Sequence, residues 1–186
     1  MTSKLKVNLI NDSGDNNIIT SDGSGVITSS KFKIGQVVST NLTGTFSTTS
    51  TTYVDATGLS VSITPTSTSS KILIQVTLGS FVNDNSNARA QGRVMRDSTV
   101  VAVGDAATGE ECTFAYCSRT GDSNHHQVAS AITLLDSPST TSATTYKIQV
   151  QRGPDAAGTV RINRSGAQDA NSGNSVSSIT VMEVLP

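Results

Sequence analysis

Few residues in this chain are spaced to do chemistry together. Two cysteines, Cys112 and Cys117, sit in ECTFAYCS. One pair of thiols four residues apart has no second pair to complete a zinc site. On a strand, positions 112 and 117 have opposite parity and face opposite ways, which disfavours a disulfide between them. The histidines, His125 and His126, are adjacent in the polar stretch SRTGDSNHHQ. Neighbouring side chains diverge on a strand, and no third ligand is apparent, so an exposed loop is the expected setting. Asp84, Asp105, Glu110, Glu111 and Asp122 are the carboxylates from which an acid–base pair for glycoside cleavage would have to come. They lie in polar loops, and the aromatic platforms of a sugar cleft are scarce at 4% aromatic content without Trp.

Other signatures fail on specific positions. A Ser-His-Asp triad through His125 lacks a G-x-S-x-G elbow, and neither a Walker A loop nor a dinucleotide fingerprint occurs. Asn11-x-Ser13-x-Asp15-x-Asn17, with Asp22 at the twelfth position, is faintly like a calcium loop. Asn16 stands where that loop needs Gly, and flanking helical patterns are missing. The chain is therefore expected to be no enzyme, with no cofactor and no metal.

The elements that would position any site read as strands. Ser and Thr make up 54 of 186 residues, and charged residues only 15%. That composition suits strands and turns and argues against bundles, coiled coils and most α/β enzymes. Apolar content of 35% predicts a thin core, with part of the buried surface supplied by other subunits. No apolar run approaches 18 residues and no signal peptide is visible. A net charge of −1 gives no electrostatic reason to bind nucleic acid or an anionic membrane.

Residues 1–34 are short apolar triplets (LKVNLI, IIT, VIT) between turn clusters at residues 11–14 and 21–25. No triplet builds a core alone, so this stretch needs a partner surface or copies of itself. From Gly35 onward the apolar residues alternate with hydroxyl-bearing ones. Leu59, Val61 and Ile63 share one face, as do Ile72, Ile74, Val76 and Leu78, and these two strands are expected to pair as a hairpin across PTSTSS. GRVMR and TVVAVG form a second hairpin around Asp97-Ser98. Tyr146, Ile148 and Val150 alternate with Lys147, Gln149 and Gln151. Nine or ten strands with one apolar face, and no 20–50-residue repeat, predict a sandwich or a barrel.

The last strand is apolar on both faces. Ile179, Val181 and Glu183 share one and Met182 lies on the other, which marks it as the candidate subunit-interface strand. A buried Glu183 would need a partner such as an arginine; a solvent-facing Glu at a strand end is the alternative.

GQVVSTNLTGTFSTTSTTYVDATGLSVSITPTSTSSKILIQVTL resembles a segment of tail-fibre-like virion proteins of tailed bacteriophages, marine and cyanobacterial ones especially. RVMRDSTVVAVGDA, LLDSPSTTSATTYKIQV, RINRS and SSITVMEV fit in the same order, and the likeness covers residues 35–186. The N-terminal LKVNLINDSGDNNIITSDGSG is similar to the starts of phage fibre proteins. The resemblance implies an all-β antiparallel sandwich of jelly-roll type at 35–186, trimeric, with an extended N-terminal segment, residues 1–34, docking onto other virion proteins. It implies a virion location on tail or capsid, after synthesis in the host cytoplasm. The partners expected are the chain itself as a homotrimer, other virion proteins, and a host cell-surface glycan or protein, without nucleic acid or membrane insertion.

Three polar loops are candidate contact tips: residues 81–88 with Asn83, Asp84 and Asn85; residues 118–127 with Asn124, His125 and His126; and residues 164–176 with Gln168, Asp169 and Asn171. A capsid decoration or head-fibre protein without a receptor role is the alternative. A depolymerase and a secreted adhesin are further readings.

Overall fold

The computed structural model describes residues 9–15, 17–21, 27–28, 33–85, 88–104, 113–117, 125–153, 157–167, 169–170 and 172–186. All regular structure among them is β. The strands are β1 (Leu9–Asn11), β2 (Asn17–Ser21), β3 (Ile27–Thr28), β4 (Ile34–Leu42), β5 (Phe46–Thr48), β6 (Val54–Ile63), β7 (Lys71–Leu78) and β8 (Phe81–Asn83). They continue as β9 (Arg89–Arg96), β10 (Thr99–Val101), β11 (Phe114–Cys117), β12 (Ser130–Asp136), β13 (Thr144–Arg152), β14 (Val160–Ile162) and β15 (Ser177–Val184).

The alternating residues build two facing antiparallel sheets. One has the order β12-β7-β15-β4; the other has β10-β9-β13-β6, with β11 also paired to β9. Along the chain, β4, β6, β7 and β9 switch sheet at every step, and so do β11, β12, β13 and β15. That order defines a jelly roll, a sandwich with no consecutive hairpin inside its four-stranded sheet. A third sheet, β5-β14-β8, is hydrogen-bonded separately but contributes Phe81, Val160 and Ile162 to the same core, and β1-β2-β3 form a separate antiparallel meander.

The core lies between the two main sheets. Leu59, Val61 and Ile63 face Ile72, Ile74, Val76 and Leu78, and Val94, Tyr146, Ile148, Val150, Ile179 and Val181 belong to the same cluster. Buried and half-buried residues alternate along the whole of β15, following the period of two seen in the sequence. One interruption occurs in β6, where Ala56 and Leu59 are both buried. There the register against β13 slips, so that Lys147 lies opposite Ser60 but Gln149 opposite Asp55. Gly58, at φ 92°, takes up the left-handed turn of this bulge.

The expected hairpin between β6 and β7 does not form. β6 pairs with β13, whereas β7 pairs with β12 and β15. Both strands do bury their aliphatic face in one core, but from opposite sides of it. The connection at 64–70 spans the roughly 10 Å between packed sheets and does not turn back in plane. It is fixed by a Ser70 N–H donating to the Ser67 carbonyl at 3.1 Å. The expected hairpin at Asp97-Ser98 is present: Thr99 lies opposite Arg96, and Asp97 adopts φ 51°. Its position is held by Thr145, whose N–H donates to Asp97 Oδ1 at 2.9 Å.

This layout predicts a sharp difference between the two faces of one strand pair. Ile148→Ala, at a fully buried position, should cost about 2–5 kcal/mol in chemical denaturation. Ser62→Ala, which removes only an exposed 2.8 Å hydroxyl pair with Thr145, should cost less than about 1 kcal/mol. Equal effects would contradict the assignment of the core.

Candidate functional site

The first candidate loop, residues 81–88, is not all loop: its first three residues form the buried strand β8 (Phe81–Asn83). Asn83 is 3% exposed; its Nδ2 donates to the Arg89 carbonyl at 3.2 Å and its Oδ1 accepts from Asn85 N at 3.0 Å. Asp84 Oδ2 accepts from Arg161 Nε and Nη2 at 3.0 and 2.6 Å, and Oδ1 accepts from Thr159 N at 2.7 Å. Gly158, at φ 96°, packs against this turn; a Cβ there would sit 2.3 Å from Asn83 Oδ1. Asn83 and Asp84 therefore hold the 83–85 turn to the start of β14. Asn85 is half-buried beside them.

The second and third loops meet. His125 Nε2 lies 3.0 Å from both carboxylate oxygens of Asp169, and Gln127 Nε2 donates to the Gly173 carbonyl. Ser172 Oγ bonds Asp169 Oδ1 at 3.2 Å and not the imidazole. A Ser-His-Asp triad places the ring between hydroxyl and carboxylate, so this group has the wrong connectivity. His126 is exposed. Asn124, Gln168 and Asn171 lie outside the described residues, as do Cys112, Asp105, Glu110, Glu111 and Asp122. Among the described residues, no three His, Cys, Asp or Glu side chains converge as a metal site.

The candidate subunit-interface strand is β15. It runs in the middle of its sheet, hydrogen-bonded to β7 on one side and β4 on the other. Ile179, Val181 and Glu183 point into the sandwich of a single chain and are 0% exposed. Met182 alone of the four lies on the outer face, half-buried.

Glu183 is buried without an arginine. Its Oε2 accepts from Gln36 Nε2 at 2.9 Å, and its Oε1 accepts from the Thr66 N–H at 2.6 Å and the Thr66 hydroxyl at 2.7 Å. Burial alone would raise the carboxyl pKa, but hydrogen bonds from Gln36 and Thr66 outweigh it and hold the group at about 2. The Ser70 hydroxyl acts in the same direction, although its Oγ forms no hydrogen bond of normal geometry.

Two further anchors were not foreseen from the sequence. Arg96 Nη1 donates to Asp136 Oδ1 and Oδ2 at 2.7 and 2.8 Å, and the buried Tyr146 hydroxyl donates to Asp136 Oδ2 at 2.7 Å. Asp136 belongs to one sheet and Arg96 and Tyr146 to the other, so the cluster clasps them together. Burial, reinforced by the Asp136 charge, pushes the Tyr146 phenol above its usual range. At the other anchor Asn163 adopts φ 66° and is fully buried. Its Nδ2 donates to the carbonyls of Leu42 and Gly44 at 2.7 and 2.8 Å, and its Oδ1 accepts from Ser177 Oγ at 2.5 Å. Asn tolerates the left-handed conformation better than most residues, which is why the RINRS segment can turn there.

The outer face of the β9-β13-β6 sheet carries a polar network. Arg93 stacks 4.0 Å over the Tyr53 ring and donates to Gln149 Oε1, while Gln149 and Lys147 both donate to Asp55. The Lys147 hydrogen bond, aided by Gln149 against a push upward from burial, holds Asp55 below the usual carboxylate range.

No protein-family model matches the chain, and no curated protein matches it. Among solved structures it is similar to a chain of the infectious bursal disease virus Gt strain. The identity is 13% over 88% of this chain and 45% of that one, with a TM-score of 0.40. It is also similar to the VP2 subviral particle of infectious bursal disease virus, at 11% identity over 99% of this chain and 50% of that one, TM-score 0.39. The chain spans about half the length of these two or less.

The Glu183 pocket gives a pH dependence of definite sign. The folded-state pKa lies below the ordinary 4.5, so the ionised group stabilises fully above about 4.5. That contribution is lost as pH falls from there to about 2. Glu183→Gln should lower stability at pH 7 by on the order of 2 kcal/mol, and the gap to the unaltered chain should close over that window. A gap independent of pH in denaturant titrations would contradict the role given to the carboxylate. Asn163→Gly keeps the left-handed backbone but deletes three hydrogen bonds, and should cost about 2–4 kcal/mol. A loss below about 0.5 kcal/mol in the same titrations would show that Asn163 is no anchor.

Proposed function

We propose that this chain is a structural protein of a bacteriophage virion, of tail-fibre or tail-tip type. In this reading it acts as a homotrimer and without catalysis. Residues 1–34 attach it to other virion proteins and residues 35–186 form the displayed domain. The observation that supports this reading is the jelly-roll strand order. It falls within the segment that resembles virion proteins of tailed phages, and the same architecture recurs in viral capsid and lectin domains.

A second reading, decoration of the capsid or head without a receptor role, is favoured by the loops. Asn83 and Asp84 are engaged in holding the 83–85 turn, and His125 is paired with Asp169. Side chains tied in this way have to break internal bonds before they meet a glycan or a host protein.

The test is imaging of whole particles with the chain tagged. Density on the tail supports the tail-fibre reading. Density on the capsid replaces it with decoration, and absence from the particle overturns both. Substituting the 164–176 loop should leave adsorption to host cells unchanged if decoration is correct, and reduce it if the loop is a receptor tip.

A further inference from the structure

The β5-β14-β8 sheet continues the four-stranded sheet at one end of the sandwich. Its strands follow β4, precede β15 and follow β7, and its order repeats the order β4-β15-β7. The chain enters β4 at the opposite end, where Leu185 N donates to the Lys33 carbonyl at 2.7 Å. Nine residues of β4, at about 3.3 Å each, separate the two ends by roughly 30 Å. The β5-β14-β8 sheet is therefore remote from the segment that precedes the sandwich.

Two arginines share the outer side of that sheet. Side chains alternate along β14 until Ile162 and Asn163, which are both buried. The left-handed turn at Asn163, φ 66°, breaks the alternation and leaves Arg161 and Arg164 both outward and half-buried. The turn is fixed by the Asn163 hydrogen bonds and by the Ser80 hydroxyl, which donates to the Arg164 carbonyl at 3.1 Å. Asp84 Oδ2 occupies Arg161 Nε and Nη2, and its Oδ1 is taken by the Thr159 N–H. Among the described residues Arg164 pairs with no carboxylate. Its side chain makes one long contact, Nε to the Ser165 carbonyl at 3.4 Å. Burial and the neighbouring Arg161 charge lower the Arg164 pKa, and Asp84 opposes them only in part. Two guanidinium groups thus share one carboxylate. Arg152 closes β13 at the same end of the sandwich, and its Nε is buried without a hydrogen bond.

We propose that Arg161 and Arg164 form a binding site for the carboxylate groups of an acidic polysaccharide. The planar fork of a guanidinium matches the two oxygens of a carboxylate. One bound carboxylate balances the charge of the site, since Asp84 already balances one arginine. Ser47 lies opposite Arg161 on β5 and is exposed, which places a hydroxyl beside the pair for a sugar. Two arginines are too few for a membrane surface, which is held by clusters of about four to eight basic residues. Nucleic acid likewise takes several phosphate contacts spread along a groove. A polysaccharide repeats its charged group, so many copies of a weak single site on one particle bind it with avidity. The inference rests on the reading of this chain as a displayed virion protein and gives that display a ligand class.

The experiment is isothermal titration of the full chain at low salt with hexagalacturonate, beside a neutral galactan oligomer of equal length and phosphatidylglycerol vesicles. The expected result is binding of hexagalacturonate, weakened about tenfold by Arg164→Ala. Lys147→Ala removes the same charge from the outer face of the β9-β13-β6 sheet and should leave the affinity unchanged. Equal weakening in both variants marks a diffuse charge effect and overturns the site. An affinity unchanged in Arg164→Ala, or equal for the neutral oligomer, overturns it as well. Vesicle binding that depends on Arg164, without binding of hexagalacturonate, replaces the polysaccharide with a lipid headgroup. Should circular dichroism show that Arg164→Ala loses its fold, Arg164→Gln, which keeps most of the stem, carries the same expectation. A chain that titrates as expected but is absent from imaged particles overturns the virion reading and keeps the site. A chain found on particles that binds no hexagalacturonate does the reverse.

Discussion

The Glu183 carboxylate gathers parts of the chain that are far apart in sequence. It accepts from Gln36 on β4 and from Thr66 in the connection that crosses between the sheets. Gln36 in turn donates to the Thr64 carbonyl at 2.6 Å. The last strand, the first strand of the sandwich and the β6–β7 crossing are thus joined through one buried ion. β15 can take this position only by inserting between β4 and β7, with Val181 opposite both Val38 and Ile74. The four-stranded sheet is incomplete until the last strand arrives, so its stability depends on contacts of long sequence separation.

Two other polar anchors act on the same principle. The Arg96–Asp136–Tyr146 cluster ties an edge of one sheet to two strands of the other. Asn163 ties the end of β14 to the β4–β5 turn and to Ser177 at the start of β15. Each is a buried group with its hydrogen bonds made, and such groups fix one arrangement because any slip leaves them unpaired. A core built from Ile, Val and Leu, with little aromatic bulk, tolerates several packings of similar energy. The anchors restrict it to one.

The periodic part of this structure was legible in the sequence. Leu59, Val61, Ile63 and Ile72, Ile74, Val76, Leu78 alternate, and alternation determines which face a strand buries. It does not determine which strand lies beside it, because the 64–70 connection has the composition of a hairpin loop and a sheet crossing alike. The anchors were less legible for the same reason. Asp84 and His125 look like loop residues free for a partner until Arg161 and Asp169, far along the chain, are placed beside them. Parity along the last strand marks Glu183 as buried, but its hydrogen-bond donors are amide and hydroxyl groups, not the arginine that charge pairing alone suggests.

The sandwich has two unlike outer faces, one carrying the Arg93, Gln149, Lys147 and Asp55 network, the other a row of Leu135, Leu73, Met182 and Val37. The account depends on β15 being an integral central strand and not a late addition at an edge. Hydrogen–deuterium exchange read by mass spectrometry tests this most directly. Amides of Ser177–Val184 should be among the slowest in the chain and should become exposed together with those of β7 and β13. Exchange of that segment at the rate of the connecting loops, while β7 and β13 remain protected, would contradict it.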